Sequence, residues 1–390
     1  MASKTGELKD PLEQSARALA AGLETGDLAA FYETFRSTEL PFVLRAHLGK
    51  PRGLYASCFD VLHRLGGLSP AVALAIENHY YVSSALATFP ARGSSALEER
   101  RRLHLGAVLD GRLLVANTSS RVHAGKVGSV GTLARRAAGG LVVSGAAAYM
   151  SLAREGDLVF FLTQIENEGP AVLVAPLRGN PQIEIGPLLF PRMMVDADTR
   201  RVTFHDSFIP EEGILLAGKS EEMAKLGAFQ LTWHQALIPA VFLGAAARAL
   251  EEARLFLRSV NAPNGKPLAD LDGMVTDVGR MAIRYRSACS LAHQAGEALE
   301  ALARQARPAG FENALELACA AKLVGTRCAE EIVGEVRRMI GGRAFTGAHP
   351  LERLSQEVMF GPLAGEVNAA IERRYGRRVL GEGDFLSNRW

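Results

Sequence analysis

The sequence predicts an α+β chain in three parts: a helical domain over residues 1–110, an antiparallel, barrel-like β-domain over 111–217, and a four-helix bundle over 218–390. Two observations carry this. Apolar residues recur at helical spacing on either side of a middle stretch. Within that stretch, from Leu113 to about Leu216, the pattern changes to short runs rich in Val, Ile, Leu and Phe: LLVAN, GLVVSG, DLVFFLTQI, PAVLVAPL, PQIEIG and RVTFHDSFI. Gly, Pro, Asn and Asp separate them, as between strands. At 390 residues the chain exceeds a typical single domain and can bury a large core.

In the first part, Asp10-Pro11 opens a helix that continues through Leu12, Ala16, Leu19 and Leu23. Ser69-Pro70 opens another, SPAVALAIENHYYVSSALATF, with Ser69 as N-cap and Pro70 at the first position. That helix is apolar over most of its surface, which predicts a core element packed on several sides. His79 within it is expected to be a satisfied core histidine.

The middle part is organised around Thr118 to Ser151. Hydroxyls (Thr118, Ser119, Ser120) lead through Gly125, Gly128 and Gly131 into a hairpin. Thr132–Arg136 is one arm, Gly139-Gly140 the turn and Leu141–Ser144 the return. A second turn at Ser144-Gly145 is expected to lead to a short strand ending at Tyr149-Met150-Ser151. Hydroxyl-bearing strand ends around an aromatic suit a flat polar ring, with hydroxyls and backbone N–H groups at its edge and Tyr149 over a face. In the last part, Gln235–Arg258, Leu271–Gln305, Phe311–Met339 and Leu351–Arg374 read as four long helices with short polar connections. Gly341-Gly342, just past the third, permit positive φ and close approach of a ligand.

Composition narrows the class. Hydrophobic residues make up 48% and charged residues 22%, an ordinary soluble balance. A net charge of +2 gives no case for nucleic acid or an anionic membrane. The four cysteines lack a C-x-x-C pair, so reduced thiols in a cytoplasmic protein are expected, with no disulfide frame and no metal site. The start, MASKTGELKDPLEQ, has no apolar signal core, and no apolar run is long enough to span a bilayer.

The Thr118–Ser151 stretch resembles the middle β-domain of the acyl-CoA dehydrogenase family, with its pattern T-E-P-x-A-G-S-D, a later Thr, and N-G-x-K-x-W-I-T-N. Thr118 and Thr132 fall on the two threonines, Ser144-Gly145 on N-G, Tyr149 on the Trp and Ser151 on the last Thr. Ser119-Ser120 replace Glu-Pro, the spacing between threonines is one residue longer, and Ala147 stands for the Lys. HDSFIPEEGIL resembles the family's exit segment V-P-x-E-N-x-L. AKLVGTRCAEEIVGEVRRMIGG resembles its Lys, long helix and Q-x-x-G-G, with Lys322 on the Lys, Arg338 on the Gln and Gly341-Gly342 on the glycines.

The resemblance covers nearly the whole chain and implies a flavin. Thr118, Ser120, Thr132, Tyr149 and Ser151 would hold its ring, and Arg338, Gly341 and Gly342 its tail across a subunit boundary. FAD is implied. The family's R-x-x-F-G-K-P-L element survives only as Gly265–Asp270, with Asn264 for Phe, Ala262 near the Arg position and Asp272 for a Gln. An Asp near a diphosphate is unfavourable. The cofactor is therefore FAD bound differently or weakly, or another flavin.

The resemblance also implies a base that removes a proton α to a thioester carbonyl. Such a base is a carboxylate raised in pKa by an apolar site. In FGPLAGEVNAAIE the counted position is Gly365, with Glu366 beside it. The family's other base position, at the start of the first bundle helix, holds His234, followed by Gln235. Histidine suits base work near neutral pH. His349, in AHPLERL, resembles a His-Pro-Leu of the flavin-dependent monooxygenase branch, which takes reduced flavin from a partner reductase. The candidates are Glu366, His234 and His349.

Three functions stand open. One is α,β-dehydrogenation of an acyl thioester carried by CoA or an acyl carrier protein. The second is two-component flavin monooxygenation. The third is a degenerate, non-redox member that keeps the fold and pocket. A homodimer or homotetramer through the bundle and an electron-transfer or flavin reductase partner are implied.

Overall fold

The computed structural model describes residues 9–90, 95–118, 122–123, 126–127, 130–304, 308–346, 349–383 and 385. Five helices come first: α1 (Lys9–Thr25), α2 (Ala29–Ser37), α3 (Leu54–Gly66), α4 (Pro70–Thr88) and α5 (Ser95–Asp110). Helix α4 starts as its sequence dictates, with Ser69 Oγ accepting from the Val72 N–H at 3.3 Å and Pro70 in the first turn. All its residues but Ala87 are buried.

Among the described residues ten strands follow: β1 (Val115–Thr118), β2 (Val122–His123), β3 (Lys126–Val127), β4 (Thr132–Ala137), β5 (Gly140–Met150), β6 (Leu158–Ile165), β7 (Gly169–Pro176), β8 (Ile183–Leu188), β9 (Arg200–Pro210) and β10 (Ile214–Ala217). β2 and β3 pair with each other. The rest form one sheet in the order β10-β7-β6-β4-β5-β9-β8, with β1 beside β6. The expected antiparallel barrel gives way to an open, mixed sheet. β1 and β4 run parallel to β6, and the edge strands β8 and β10 lie at opposite ends, each with one partner, so the sheet does not close. Strand alternation divides its side chains. Phe160, Leu162, Val172 and Val174 pack into the core shared with the helices. Phe161, Leu173, Val202 and Phe204 form a second core on the other face.

The turn expected at Ser144-Gly145 is instead a bulge inside one long strand. Gly145 sits opposite Thr132 with φ +108, and its register against β9 shifts there. A Cβ on Gly145 would lie 2.3 Å from the Gly131 carbonyl oxygen, so only glycine lets the two strands approach this closely.

The C-terminal part opens with α6 (Glu221–Ser259), α7 (Asp272–Arg304) and α8 (Pro308–Ile340), which pack on one another. Helix α6 begins well before Gln235, capped by Ser220 Oγ, which accepts from the Met223 N–H at 3.1 Å. His234 is therefore a mid-helix residue. The expected fourth helix is broken into α9 (Pro350–Glu357), a 3-10 turn (Val358–Leu363), a bend at Gly365 and α10 (Asn368–Val379). Pro362 lacks an N–H for a helical bond, and Gly365 takes φ +61. The break brings the 361–367 segment against α6.

Candidate active site

The centre of the site is where α4 meets α6. Glu77, the only charged residue in the long apolar α4 stretch, is completely buried. Its carboxylate oxygens lie 2.9 and 3.1 Å from His234 Nδ1. A carboxylate accepts, so Nδ1 carries the hydrogen and Nε2 keeps its lone pair. Burial pushes Glu77 above the usual carboxylate range; the charge His234 carries when protonated, and its hydrogen bond, pull it back.

Tyr81, one turn along α4, covers the imidazole with ring centroids 4.6 Å apart. Its hydroxyl donates to Asn117 Oδ1 at 2.6 Å, and Asn117 Nδ2 donates to the Phe160 carbonyl at 3.1 Å. The Asn117 backbone pairs with that of Ser151, whose Oγ lies 2.8 Å from Thr199 Oγ1. An unbroken set of contacts thus runs from His234 to the strand ends of β1 and β5.

The 361–367 segment closes the other side. A Cβ built on Gly365 would lie 3.1 Å from His234 Nε2 and 2.8 Å from Ile238 Cδ1. The two places where the sequence could put a base therefore converge on one point, and at that point the imidazole fills the space a side chain at 365 would need.

The other two base candidates stand differently. The Glu366 carboxylate is bound by the guanidinium of buried Arg374, so it is already paired. His349 caps α9: its Nδ1 accepts from the Leu351 N–H at 3.2 Å, and its Nε2 lies 3.7 Å from Glu252. Glu252 is about five turns, roughly 27 Å, beyond His234 on α6, so the structure does not bring His349 to this centre. His79 is a core histidine. Its Nδ1 accepts from the Val115 N–H and its Nε2 donates to the Pro41 carbonyl, and burial pushes its pKa down to about 4.

The expected ring-binding residues divide into two groups. Thr118 Oγ1 donates to the Ala148 carbonyl at 2.9 Å, and Thr132 Oγ1 donates to the Leu162 carbonyl at 3.1 Å. Both hydroxyls brace strands and keep only lone pairs to offer. Ser120 lies outside the described residues. Tyr149 is 52% exposed, has φ +62, and sits where the register of β5 against β9 shifts between Ala147 and Met150. Its ring is roughly parallel to Phe190 at 6.2 Å, and Phe190 meets Phe360 edge-on at 5.2 Å. These three rings form an aromatic ledge, while Ser151, two residues on from Tyr149 in the chain, forms a buried hydroxyl pair with Thr199.

The tail residues lie elsewhere. Arg338 is exposed in the last turn of α8, and Gly341 (φ +69) and Gly342 face open space. That end of α8 packs with α9 and its own 3-10 turn (Gly341–Phe345) and makes no extensive contact with β5. One chain therefore supplies the ring ledge and, at a separate place, the glycine turn.

Sequence reasoning missed Glu77, Tyr81, Asn117 and Thr199. Only Glu77 left a signal, as a lone carboxylate in an apolar helix.

Residues 228–371 match the family model described as acyl-CoA dehydrogenase, C-terminal domain. A nitroalkane oxidase from Fusarium oxysporum is 27% identical over 188 residues, which is 48% of this chain but only 40% of that relative's length. Among solved structures, FMN-bound TdsC from Paenibacillus sp. A11-2, elsewhere described as a dibenzothiophene monooxygenase, superposes with a TM-score of 0.82 at 17% identity, covering 96% of this chain and 97% of that one. Butyryl-CoA dehydrogenase from Megasphaera elsdenii gives 0.79 at 17% identity, covering 95% and 97%. At these identities the structural likeness establishes the fold.

Proposed function

We propose that this chain, an acyl-CoA dehydrogenase superfamily member by its fold and its C-terminal domain at residues 228–371, is a flavin-dependent oxidoreductase whose proton acceptor is His234. The observation that carries this reading is the Glu77–His234 pair, lying where position 365 also arrives. His234 Nε2 takes a substrate proton, and the imidazolium that forms is stabilised by the carboxylate of Glu77 at Nδ1. Inside a buried site that attraction is far stronger than in water. Glu77 also fixes the ring's tautomer and orientation. Tyr81 holds the ring from one side while its hydroxyl, tied to Asn117, links the acceptor to the ledge.

Tyr149, Ser151 and the lone pairs of Thr118 and Thr132 would hold the flavin ring. Arg338, Gly341 and Gly342 would meet the tail of a flavin held by a second copy, in a homodimer or homotetramer. A flavin bound on the ledge would supply the two-electron acceptor, or in reduced form the means of activating oxygen. The first reading of the reaction is α,β-dehydrogenation of an acyl thioester, delivered by CoA or a carrier protein, with the α-proton going to His234. FAD is its cofactor. The four cysteines are free, which suits a cytoplasmic setting.

A second reading, oxygen insertion with reduced flavin from a partner reductase, is favoured by one observation. Gly365 carries no carboxylate, and that of Glu366 is paired with Arg374. An imidazole base suits a more acidic O–H, N–H or activated C–H proton than that of a saturated thioester.

The test is a visible spectrum of the purified protein, followed by anaerobic addition of acyl-CoA. A yellow protein bleached by the thioester supports the first reading. A colourless protein that binds reduced flavin and then consumes oxygen supports the second. A protein that binds neither FAD nor FMN in either redox state contradicts the proposal and leaves a non-redox use of the fold.

A further inference from the structure

We infer that Lys322 is a positioning residue, whose ammonium holds the 362–368 segment in the path that sets Gly365 against His234 Nε2. Lys322 is fully buried on α8. Its Nζ lies 3.1 Å from the Pro362 carbonyl, 2.8 Å from the Glu366 carbonyl and 2.8 Å from Asn368 Oδ1. Burial pushes the Lys322 pKa down to about 7, and its protonated form has three hydrogens for the three acceptors. All three acceptors belong to the one segment that bends back over α6.

The bracket is specific to the point of interest. Gly365 lies between the two main-chain carbonyls that Lys322 holds. Gly365 stands so close to α6 that an added Cβ would meet Ile238 Cδ1 at 2.8 Å and His234 Nε2 at 3.1 Å, and it would leave His234 if the segment relaxed outward. The segment is tied at two further points. Arg374 grips the Glu366 side chain, and Asn368 Nδ2 donates to Thr326 Oγ1 at 3.1 Å, one turn along α8 from Lys322. Lys322 is the only one of these ties that joins both sides of Gly365. By holding it, Lys322 keeps Gly365 packed over Nε2. The inference rests on His234 being the proton acceptor, but its geometry can be tested without any substrate.

The test uses the full chain and diethyl pyrocarbonate, which modifies accessible neutral imidazoles. His234 is followed by mass spectrometry against the exposed His205 as internal reference, with amide exchange of the 361–367 peptide in parallel. Lys322→Met should speed both His234 modification and exchange of 361–367 by about tenfold, as expected for loss of a charged hydrogen bond. Peptides of α4 should keep their wild-type exchange. Lys322→Arg, which keeps cationic donors, should recover part of the protection. Asn368→Ala removes one acceptor together with the bond to Thr326 Oγ1, and Thr326→Val removes that bond alone; a larger effect of the first than of the second, in the same direction as Lys322→Met, carries the test if Lys322→Met does not fold.

An unchanged His234/His205 ratio in a folded variant overturns the inference. So does a uniform rise in exchange across the chain, which would mean Lys322 only stabilises the fold. A catalytically silent His234 would instead contradict the proposed function and leave this result standing.

Discussion

The α4–α6 crossing and the 358–368 segment meet at one point but are built by opposite means. At the crossing, two long helices are held by an apolar core, and α3 and α6 touch backbone to backbone. A Cβ on Gly66 would fall 2.1 Å from the Val241 carbonyl oxygen, and one on Gly244 2.1 Å from that of His63. Side chains on such elements have little freedom, so Glu77 and His234 are placed by the fold itself. The 358–368 segment has no regular bonding past its 3-10 turn and is fixed by side chains reaching in from α8 and α10. The difference teaches where a precisely aimed group belongs: the acceptor stands on the rigid helix, and the irregular segment contributes a residue with no side chain.

The largest effect expected from breaking this contrast is at the crossing. His234→Gln should lower turnover by about 10²–10⁴, the range for a general base, with flavin binding kept; steady-state rates and flavin titration check both. Glu77→Gln should leave the imidazole in place but remove the charge that stabilises its protonated form. The loss should fall within the same range and appear mainly in kcat. On the segment, Glu366→Gln should cost less than about tenfold in turnover, roughly 1.4 kcal/mol of barrier. A larger loss would return the base to the segment and reverse the contrast.

A pH effect joins the two regions. Glu357, at the end of α9, accepts from Ser69 Oγ and from the Ala71 N–H, both at 2.9 Å, and so ties α9 to the start of α4. Burial is the main reason its pKa is pushed up to about 7. A raised carboxylate favours its protonated form in the folded state. Its contribution is therefore full below about pH 4.5 and is lost as pH rises through about 7, about 3 kcal/mol in all at 1.36 kcal/mol per unit. Glu357→Gln should flatten that slope in denaturant melts across pH 4.5–8, while melts as steep as wild type would show that another group carries it. The smallest effect expected is that of Ser151→Ala, a weakening of flavin binding by about 1 kcal/mol for one lost hydrogen bond. Unchanged affinity would remove Ser151 from the ledge.

Local signals were legible and long-range ones were not. The Ser69-Pro70 start of α4, the strand-rich middle and the glycine turn after α8 all read directly from neighbouring residues. Gly145 was legible as a special position, but a turn and a bulge use the same residue, and only the partner strand β9 decides between them. The break at Pro362 and Gly365 lay inside an otherwise helical pattern. His234 was found by its place in a pattern. Its partner Glu77, a distant neighbour in sequence, looked like one stray charge in an apolar helix. Lys322 read as part of a motif, and its three acceptors are visible only once the last helix is seen to bend back.

The most direct test of the central claim is stopped-flow absorbance of the FAD-loaded protein, mixed anaerobically with butyryl-CoA, for wild type and His234→Gln. If His234 accepts the α-proton of a thioester, butyryl-CoA bleaches the wild-type flavin, and the variant binds FAD normally but bleaches at least about a hundredfold more slowly. A variant that bleaches as fast as the wild type would contradict the account.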